Sequence, residues 1–164
     1  MKKMLKNIST AILVFSSVLT TTVNAETVKN MPLTGLIETP NTSFNELKGK
    51  WLYVDFWASW CGPCKKSFPF MNALQTTFKN ENFKVIAISV DDTKAAAEKF
   101  LKYNETNFWV FHDPKGILAE QFQVPGMPSS YLINPEGEIV HKHKGFTEAS
   151  GNELMSVIQA ELKK

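Results

Sequence analysis

The residues of this 164-residue sequence whose type and spacing could carry chemistry are its two cysteines, Cys61 and Cys64. They follow the apolar run 51–57, where a strand is expected to end and a helix to begin. The first sulfur would lie at a helix N-terminus, where backbone N–H groups favour an anion such as a thiolate. We expect this position to lower the pKa of the Cys61 thiol. Cys64, one turn further in and more shielded, would attack a mixed disulfide on Cys61, which gives a two-electron dithiol–disulfide switch.

Two other uses of the cysteine pair are weaker interpretations. A purely structural disulfide across so short a loop would contribute about 2 kcal/mol by chain entropy, which a chain with a sizeable core does not need. A zinc site wants four ligands, and this pair supplies only two of them. We therefore predict redox chemistry, with no metal and no cofactor besides the redox-active disulfide Cys61–Cys64.

Residues 1–25 have the pattern of an export signal. Three lysines precede an apolar stretch at 8–19, which is short for a membrane span of about 20 residues. Ala25 ends a candidate cleavage site. We predict a signal peptide at 1–25 and one domain at 26–164, exported to the periplasm. The alternative is an uncleaved anchor that holds the domain outside the membrane, because 20–23 could extend the apolar segment.

The charge of the sequence excludes a basic surface for nucleic acid. The formal net charge of +2 includes the three lysines of the predicted signal, so the remaining domain carries about −1. Outside the cytosol disulfides form and persist, so an accessible C-x-x-C there makes or breaks disulfides in other proteins. No dimerisation segment is visible, and we predict a monomer.

Strand and helix patterns alternate along the chain and predict an α/β fold with a partly parallel sheet. The predicted strands are 51–57, 83–90 and 108–111, and the predicted helices are 61–79, 92–103 and 113–122. A capped turn is expected at 42–49, after an entry segment at 31–40 to which no element is assigned. A hairpin through Asn134–Gly137 and a last helix capped by Ser150 and Glu153 complete the domain.

Asp55 interrupts the apolar run 51–57. Burying a carboxylate costs free energy unless it has a partner, and burial raises its pKa. One interpretation places Asp55 at the surface of an edge strand. The other makes it a buried acid that exchanges a proton with Cys64 as the switch turns over.

The motifs around the cysteines resemble a known family. Residues 54–65, VDFWASWCGPCK, are similar to the active-site segment of thioredoxin, and Pro69 follows five residues after the second cysteine. The extra strand and helix before Pro128, and the segment 124–137 with its G-x-P motif, resemble exported TlpA/ResA-type thioredoxin-like proteins. The resemblance covers essentially all of 26–164. It implies a thioredoxin fold, a mixed central sheet flanked by helices, with a TlpA-type central strand–helix insertion.

The resemblance also implies roles for individual residues. Pro128 would be a cis-proline that faces the disulfide, and Met127 before it would offer backbone groups to a substrate strand. Asp55 would be the proton-handling acid of thioredoxin. Many TlpA/ResA-type proteins have Asn at that position, and some carry a Glu three residues after the second cysteine, where this chain has Ser67.

The residues between and beside the cysteines indicate the direction of electron flow. Gly62 and Pro63 bring no charge or histidine that would stabilise the thiolate, which argues against a strong oxidant. Trp60 and Pro63 would shape the apolar contact around the Cys61 sulfur. We therefore predict a reductase of protein disulfides, supplied with electrons by a membrane thiol-transfer reductant. The resemblance points to cytochrome c maturation or general disulfide reduction as its pathway.

Two alternatives remain open at this point. One is an oxidase or isomerase of secreted proteins. The other is a copper-binding carrier that would combine thiolates with histidine, since His141 and His143 share one face of a predicted strand and His112 precedes Asp113.

Overall fold

The structure of the protein is a computed structural model, and it describes residues 26–164. The predicted signal peptide at 1–25 lies outside the described residues, so the cleavage site and the anchor alternative stay predictions. Within 26–164, no helix combines the length and the apolar character that crossing a membrane requires.

The described residues contain seven strands that form one mixed sheet. They are β1 (Pro32–Gly35), β2 (Thr42–Ser43), β3 (Trp51–Trp57), β4 (Phe83–Ser89), β5 (Trp109–His112), β6 (Ser129–Ile133) and β7 (Ile139–Lys144). Their spatial order is β2-β1-β5-β4-β3-β6-β7. β3, β4 and β5 run parallel, whereas the other neighbouring pairs are antiparallel. The predicted strands and hairpin are confirmed, and β1 corrects the entry segment 31–40, which pairs with β5 instead of running free.

Four helices and one 3-10 turn cover the two faces of this sheet. They are the 3-10 turn Phe44–Leu47, α1 (Gly62–Thr77), α2 (Lys94–Leu101), α3 (Ile117–Gln121) and α4 (Glu148–Glu161). Apolar side chains of α1, α2 and α4 pack in one cluster, and those of α3 and the 3-10 turn pack in a second cluster. Two strand–helix units, β4–α2 and β5–α3, separate α1 from β6, as the predicted insertion requires. The mixed sheet flanked by helices is confirmed.

β3 is the central buried strand, because it pairs with β4 on one side and with β6 on the other. Alternate side chains point to opposite faces. Val54 and Phe56 join the cluster of α3, and Tyr53 and Trp57 join the cluster of α1. Asp55 lies between the last two on the α1 face and is 2 % exposed. The edge-strand interpretation of Asp55 is therefore wrong.

Two helices begin at other residues than the sequence predicted. α4 is capped one turn earlier than Ser150 and Glu153: the Thr147 Oγ1 accepts from the Ser150 N–H at 3.1 Å, and the Ser150 Oγ accepts from the Thr147 N–H at 2.9 Å. Serine thus takes the place that glutamate usually holds in a capping box. α3 begins at Ile117, because Gly116 turns the chain with a φ of 66° after Asp113.

The polar residues at 42–46 also act differently from the prediction. The hydroxyls of Thr42 and Ser43 donate to the Glu46 carboxylate at 2.8 and 3.3 Å instead of capping backbone N–H groups. The turn that follows is a single 3-10 turn. The helix predicted at 92–103 is capped by Thr93, whose Oγ1 accepts from the Ala96 N–H at 3.3 Å.

β7 forms one edge of the sheet and has two different faces. Val140, Lys142 and Lys144 are exposed, whereas His141 and His143 on the alternate face are half-buried. Lys142 is ion-paired with Glu26. Gly145, directly after the strand, donates its N–H to the Pro128 carbonyl at 2.7 Å, so the end of β7 is fixed beside the start of β6.

We predict that Asp113→Ala lowers the free energy of unfolding by about 1–3 kcal/mol, because two backbone N–H groups of α3 lose their acceptor. The Asp113 carboxylate is 5 % exposed and accepts from the N–H groups of Ile117 and Ala119, both at 2.9 Å. Urea unfolding measures the change. Asp92→Ala, at an exposed position, is the control and should change little. Equal losses in the two variants would contradict this account of α3.

Candidate active site

The two cysteines lie at the start of α1, as predicted. Cys61 is the N-cap residue of this helix, and its Sγ accepts a hydrogen bond from the Cys64 N–H at 3.2 Å. The two sulfurs form a disulfide with an S–S distance of 2.01 Å. The first sulfur therefore lies where the N-terminal N–H groups of a helix stabilise negative charge.

The two sulfurs differ in their access to solvent. Cys61 is 6 % exposed and Cys64 is fully buried, so Cys61 is the more accessible of the two cysteines. The order matches the expectation, although Cys61 is more enclosed in the disulfide than we expected. Trp60, Gly62 and Pro63 around it are exposed, with Trp60 at 71 %. These three residues form the surface over which another molecule would approach the Cys61 sulfur.

Met127 and Pro128 lie at the same end of the sheet as the cysteines. The peptide bond between them is cis, as the resemblance implied. Ser129 pairs with Phe56, which places Pro128 at the carboxyl end of β3, the end that leads to Cys61. The Ser129 hydroxyl donates to the Gly126 carbonyl at 2.6 Å and holds this turn. Pro128 is buried, and Met127 is half-buried and packs against both apolar clusters.

Asp55 lies on the face of β3 that packs against the first turns of α1. Its neighbours on that face, Tyr53 and Trp57, belong to the same cluster as Cys64. The Asp55 Oδ1 is buried and has no hydrogen-bond partner among the described residues. Burial away from water raises the pKa of the Asp55 carboxyl well above its ordinary value. The carboxyl therefore holds a proton at a higher pH than an exposed aspartate does.

Tyr53 and Ser130 complete a small polar group around Asp55. Burial, with the Asp55 charge as a second cause, raises the pKa of the Tyr53 hydroxyl, and a hydrogen bond from Ser130 acts in the opposite direction. Ser130 is directly opposite Asp55 in the pairing of β3 with β6 and is 3 % exposed. Tyr53 thus stays neutral, and Asp55 is the acid of this group.

Asp91 is a site residue that the sequence analysis missed. It is 2 % exposed, and its two carboxylate oxygens accept from the Ser59 N–H at 3.1 and 3.0 Å. The hydroxyls of Ser59 and Ser89 also donate to it, at 2.7 and 2.8 Å. Asp91 therefore fixes the loop that precedes Trp60 and Cys61. The sequence signal was an aspartate directly after a buried strand, and the sequence analysis gave Asp91 no role.

Ser67 occupies the position at which some TlpA/ResA-type proteins have a glutamate. It is fully buried, and its hydroxyl donates to the Cys64 carbonyl at 2.9 Å. The hydroxyl is satisfied within the helix, as is common for serine inside helices.

The histidines proposed for a copper carrier are not brought together. His112 is on β5, where its Nε2 is 2.8 Å from the Asp91 carbonyl oxygen. His141 and His143 are on β7, which three strands separate from β5 in the sheet. Within residues 26–164, no three side chains of His, Cys, Asp or Glu are grouped closely enough to hold a metal ion.

Comparisons with known proteins agree with this geometry. The thiol-disulfide oxidoreductase ResA of Bacillus subtilis (strain 168) is 35% identical over 116 residues, which cover 70% of this chain and 65% of the relative. The ResA of Oceanobacillus iheyensis is 32% identical over 103 residues, covering 63% of this chain and 54% of the relative. The chain thus spans less than two thirds of the length of these relatives.

Solved structures show the same fold. A Chlorobium tepidum protein, described as a candidate thiol:disulfide interchange protein DsbE, superposes with a TM-score of 0.80 and 38% identity, covering 84% of this chain and 96% of that chain. StoA from Bacillus subtilis superposes with a TM-score of 0.64 and 27% identity, covering 80% and 95%. The fold is therefore thioredoxin-like, with the mixed sheet and helices described above.

The model of one protein family covers most of the described residues. It is the AhpC/TSA family, and the match runs over residues 26–142, from the first described residue to the middle of β7. This range includes the disulfide at the start of α1, the buried Asp55 and the cis Met127–Pro128 bond. With the family match and the thioredoxin-like fold in agreement, the chain belongs to the AhpC/TSA family.

Proposed function

We propose that this protein is an exported thiol–disulfide oxidoreductase that reduces disulfides in other proteins through Cys61 and Cys64. One observation carries the proposal: Cys61, the more accessible cysteine, caps a helix, its buried partner is one turn away, and a buried acid whose Oδ1 has no partner among the described residues lies on the facing strand. The curated relatives named thiol-disulfide oxidoreductase support it.

The reaction begins with the reduced protein. The Cys61 thiolate attacks one sulfur of a substrate disulfide, the substrate S–S bond breaks, and a mixed disulfide forms. Cys64 then attacks the Cys61 sulfur, which closes the Cys61–Cys64 disulfide and releases the second substrate sulfur as a thiolate. Two electrons pass from the protein to the substrate, and the substrate leaves with two thiols after protonation.

Asp55 acts in the second step as the general base for Cys64. The Cys64 thiol must lose its proton before it attacks, and its fully buried position disfavours the thiolate. Asp55 faces the cluster that contains Cys64, and its raised pKa brings it closer to the pH at which a base works best. Ser67 offers no carboxyl group at the position of the alternative glutamate, so the proton role falls to Asp55.

The exposed surface around Cys61 receives the substrate. Trp60, Gly62 and Pro63 form its outer part, and the backbone at Met127 and Pro128 would pair with an extended substrate strand at the same end of the sheet. We propose protein disulfides as the substrates and a monomer as the working form, with no role for nucleic acid and no cofactor beyond the disulfide.

The protein works outside the cytosol in this proposal. The predicted signal at 1–25 supports export to the periplasm, where a membrane thiol-transfer protein would return two electrons to the Cys61–Cys64 disulfide. We propose a place in cytochrome c maturation, which the resemblance of the cysteine motif to TlpA/ResA-type proteins supports.

Reduction of insulin disulfides, with a dithiol as the electron source, tests the activity. We predict that Cys61→Ser abolishes it, because no sulfur remains to attack the substrate. Cys64→Ser should instead accumulate a mixed disulfide, because the first step proceeds and the second cannot. Non-reducing electrophoresis and mass measurement detect that adduct. Wild-type turnover by Cys64→Ser would contradict the two-cysteine scheme.

The reduction potential decides the direction of the reaction. A reduction potential of roughly −270 mV, as in thioredoxin, identifies a reductant, whereas one of roughly −120 mV identifies an oxidant. We expect a value on the reducing side, because Gly62 and Pro63 add no group that stabilises the reduced form. Equilibration with glutathione or with thioredoxin gives the potential, and a strongly oxidising value would overturn the reductase.

We predict that Asp55→Asn slows the release of reduced substrate near neutral pH by about tenfold or more, since a general base is lost. Single-turnover kinetics between pH 5 and pH 9, roughly the range over which such bases are tuned, should show a pH dependence in the wild type that the variant lacks. Asp92→Asn, at an exposed position, is the control. An unchanged profile would remove Asp55 from the mechanism.

The same variant has a predicted effect on stability. The folded protein holds the Asp55 proton at pH values where the unfolded chain has released it, so the wild type loses stability as pH rises above about 4, the ordinary pKa. Asp55→Asn should remove this slope, which is at most about 1.4 kcal/mol per pH unit. Urea unfolding of the oxidised protein at several pH values measures it. Equal slopes in both proteins would show that Asp55 titrates normally.

A further inference from the structure

A groove of about 610 Å³ lies beside the cysteines, between the start of α1 and one face of α2. Lys65 of α1 and Ser59 of the loop before α1 line one side of it. The other lining residues belong to α2 and the turn after it: Ala96, Lys99, Phe100, Tyr103 and Asn104. Ser59 is two residues before Cys61, and Lys65 directly follows Cys64. The groove therefore borders the surface over which a substrate approaches the Cys61 sulfur.

Aromatic side chains form the apolar part of this groove. The ring of Phe100 is half-buried, with its centroid 4.8 Å from that of Trp57 and 5.1 Å from that of Phe68. Tyr103 is 79 % exposed, and Trp60, next to Ser59 in the chain, is 71 % exposed. Tyrosine and tryptophan are enriched where proteins contact other polypeptides. The surface beside Cys61 thus offers aromatic rings on a packed support.

The charged side chains that line the groove are both positive. Lys65 and Lys99 are exposed, and within residues 26–164 neither is ion-paired with a carboxylate. Among the described residues that line the groove, none carries a carboxylate. Glu98 of α2 is ion-paired with Lys94 at 3.4 Å and does not line the groove. The two ammonium groups therefore leave the groove with a local positive charge.

The acids near this groove in the chain lie outside it. Asp91 is 2 % exposed and already accepts hydrogen bonds from the N–H and the hydroxyl of Ser59. Asp92 is exposed but is not part of the lining. A second groove, between α1 and α4, is lined by Lys66 and Glu148, so it combines one charge of each sign. Of these two grooves, the one beside α2 favours a negatively charged occupant.

We propose that the groove of Lys65 and Lys99 binds an acidic segment of the substrate protein, next to the disulfide that Cys61 attacks. Carboxylates of this segment pair with the two ammonium groups, and its apolar side chains contact Phe100 and Tyr103. Opposite charges also speed the encounter of the two molecules. This inference rests on the proposed function and specifies its substrates as protein disulfides flanked by aspartate or glutamate.

Two cyclic peptides that differ only in their tails test this preference. Each contains one disulfide, followed by a tail of glutamates or a tail of lysines, and the measurement is the second-order rate constant for oxidation of the reduced protein by each peptide. We expect the rate constant to be roughly tenfold higher for the glutamate peptide, as two exposed ion pairs and electrostatic steering allow. Raising the ionic strength from about 0.01 M to about 1 M should remove most of the difference, because the Debye length falls from about 30 Å to about 3 Å.

Two double variants form a matched pair. Lys65→Gln with Lys99→Gln removes the charges of the groove, whereas Lys66→Gln with Lys102→Gln removes exposed charges from α1 and from the C-cap of α2 outside it. The first variant should bring the ratio of the two rate constants close to unity, and the second should keep it within about twofold of the wild-type ratio. The ratio cancels any effect of Lys65 on the reactivity of the cysteines, because both peptides react with the same sulfur.

An anionic membrane surface would also attract lysines and aromatic rings, and sedimentation with phosphatidylglycerol vesicles separates it from a protein segment. Vesicle binding that the first double variant abolishes, without a preference between the peptides, would assign the groove to lipid and overturn the proposal.

Equal rate constants for the two peptides in the wild type, or an equal fall of the ratio in both double variants, would also overturn the acidic-segment site while leaving the reductase intact. A wild-type protein that reacts with neither peptide would instead overturn the proposed function.

Discussion

The site depends on one constraint, the pairing of β3 on both of its edges. β3 pairs with β4 on one side and with β6 on the other, and apolar clusters under the helices cover both of its faces, so its side chains from Leu52 to Trp57 are buried. The backbone hydrogen bonds of β3 therefore hold Asp55 in an apolar environment. The Asp55 side chain takes no part in these bonds. The same pairing directs the end of β3 into the short loop that carries Cys61, so the acid and the first sulfur are positioned by one strand.

The loop between β3 and α1 is held by a residue from a different part of the chain. Asp91, 32 residues after Ser59, accepts three hydrogen bonds from it through the backbone N–H and the hydroxyl. This carboxylate is satisfied, whereas that of Asp55 is not. Two buried aspartates, one inside β3 and one just after the neighbouring β4, thus have different uses: Asp91 fixes the backbone before the nucleophile, and Asp55 remains free to bind a proton.

The sequence predicted the parts of the fold that depend on local pattern. The apolar runs gave β3 and β4, and the cysteine spacing with its flanks gave the start of α1 and the family resemblance. Contacts between residues far apart in the sequence could not be predicted from local pattern. The pairing of β1 with β5 joins segments roughly 75 residues apart in the sequence. The four residues of β1 have the composition of a loop and show no hydrophobic period that would identify a strand. Asp91 could not be distinguished from Asp92 for the same reason.

Helix ends were predicted less well than helix interiors, because several residues compete to cap each end. Ser150 and Glu153 match the usual capping box, yet Thr147 is the cap and Ser150 is its partner. Asp113 was placed at the start of a helix, and it does serve α3, but from four residues before Ile117. In both cases the sequence identified a residue that takes part in the cap, but it did not identify which position of the cap that residue occupies.

The edge strand β7 affects whether another extended chain can add to the sheet. An unpaired edge invites another extended chain to add to the sheet. Lys142 and Lys144 stand on the exposed face of this edge. Charged side chains at this position, one of them paired with Glu26, oppose the addition of another strand.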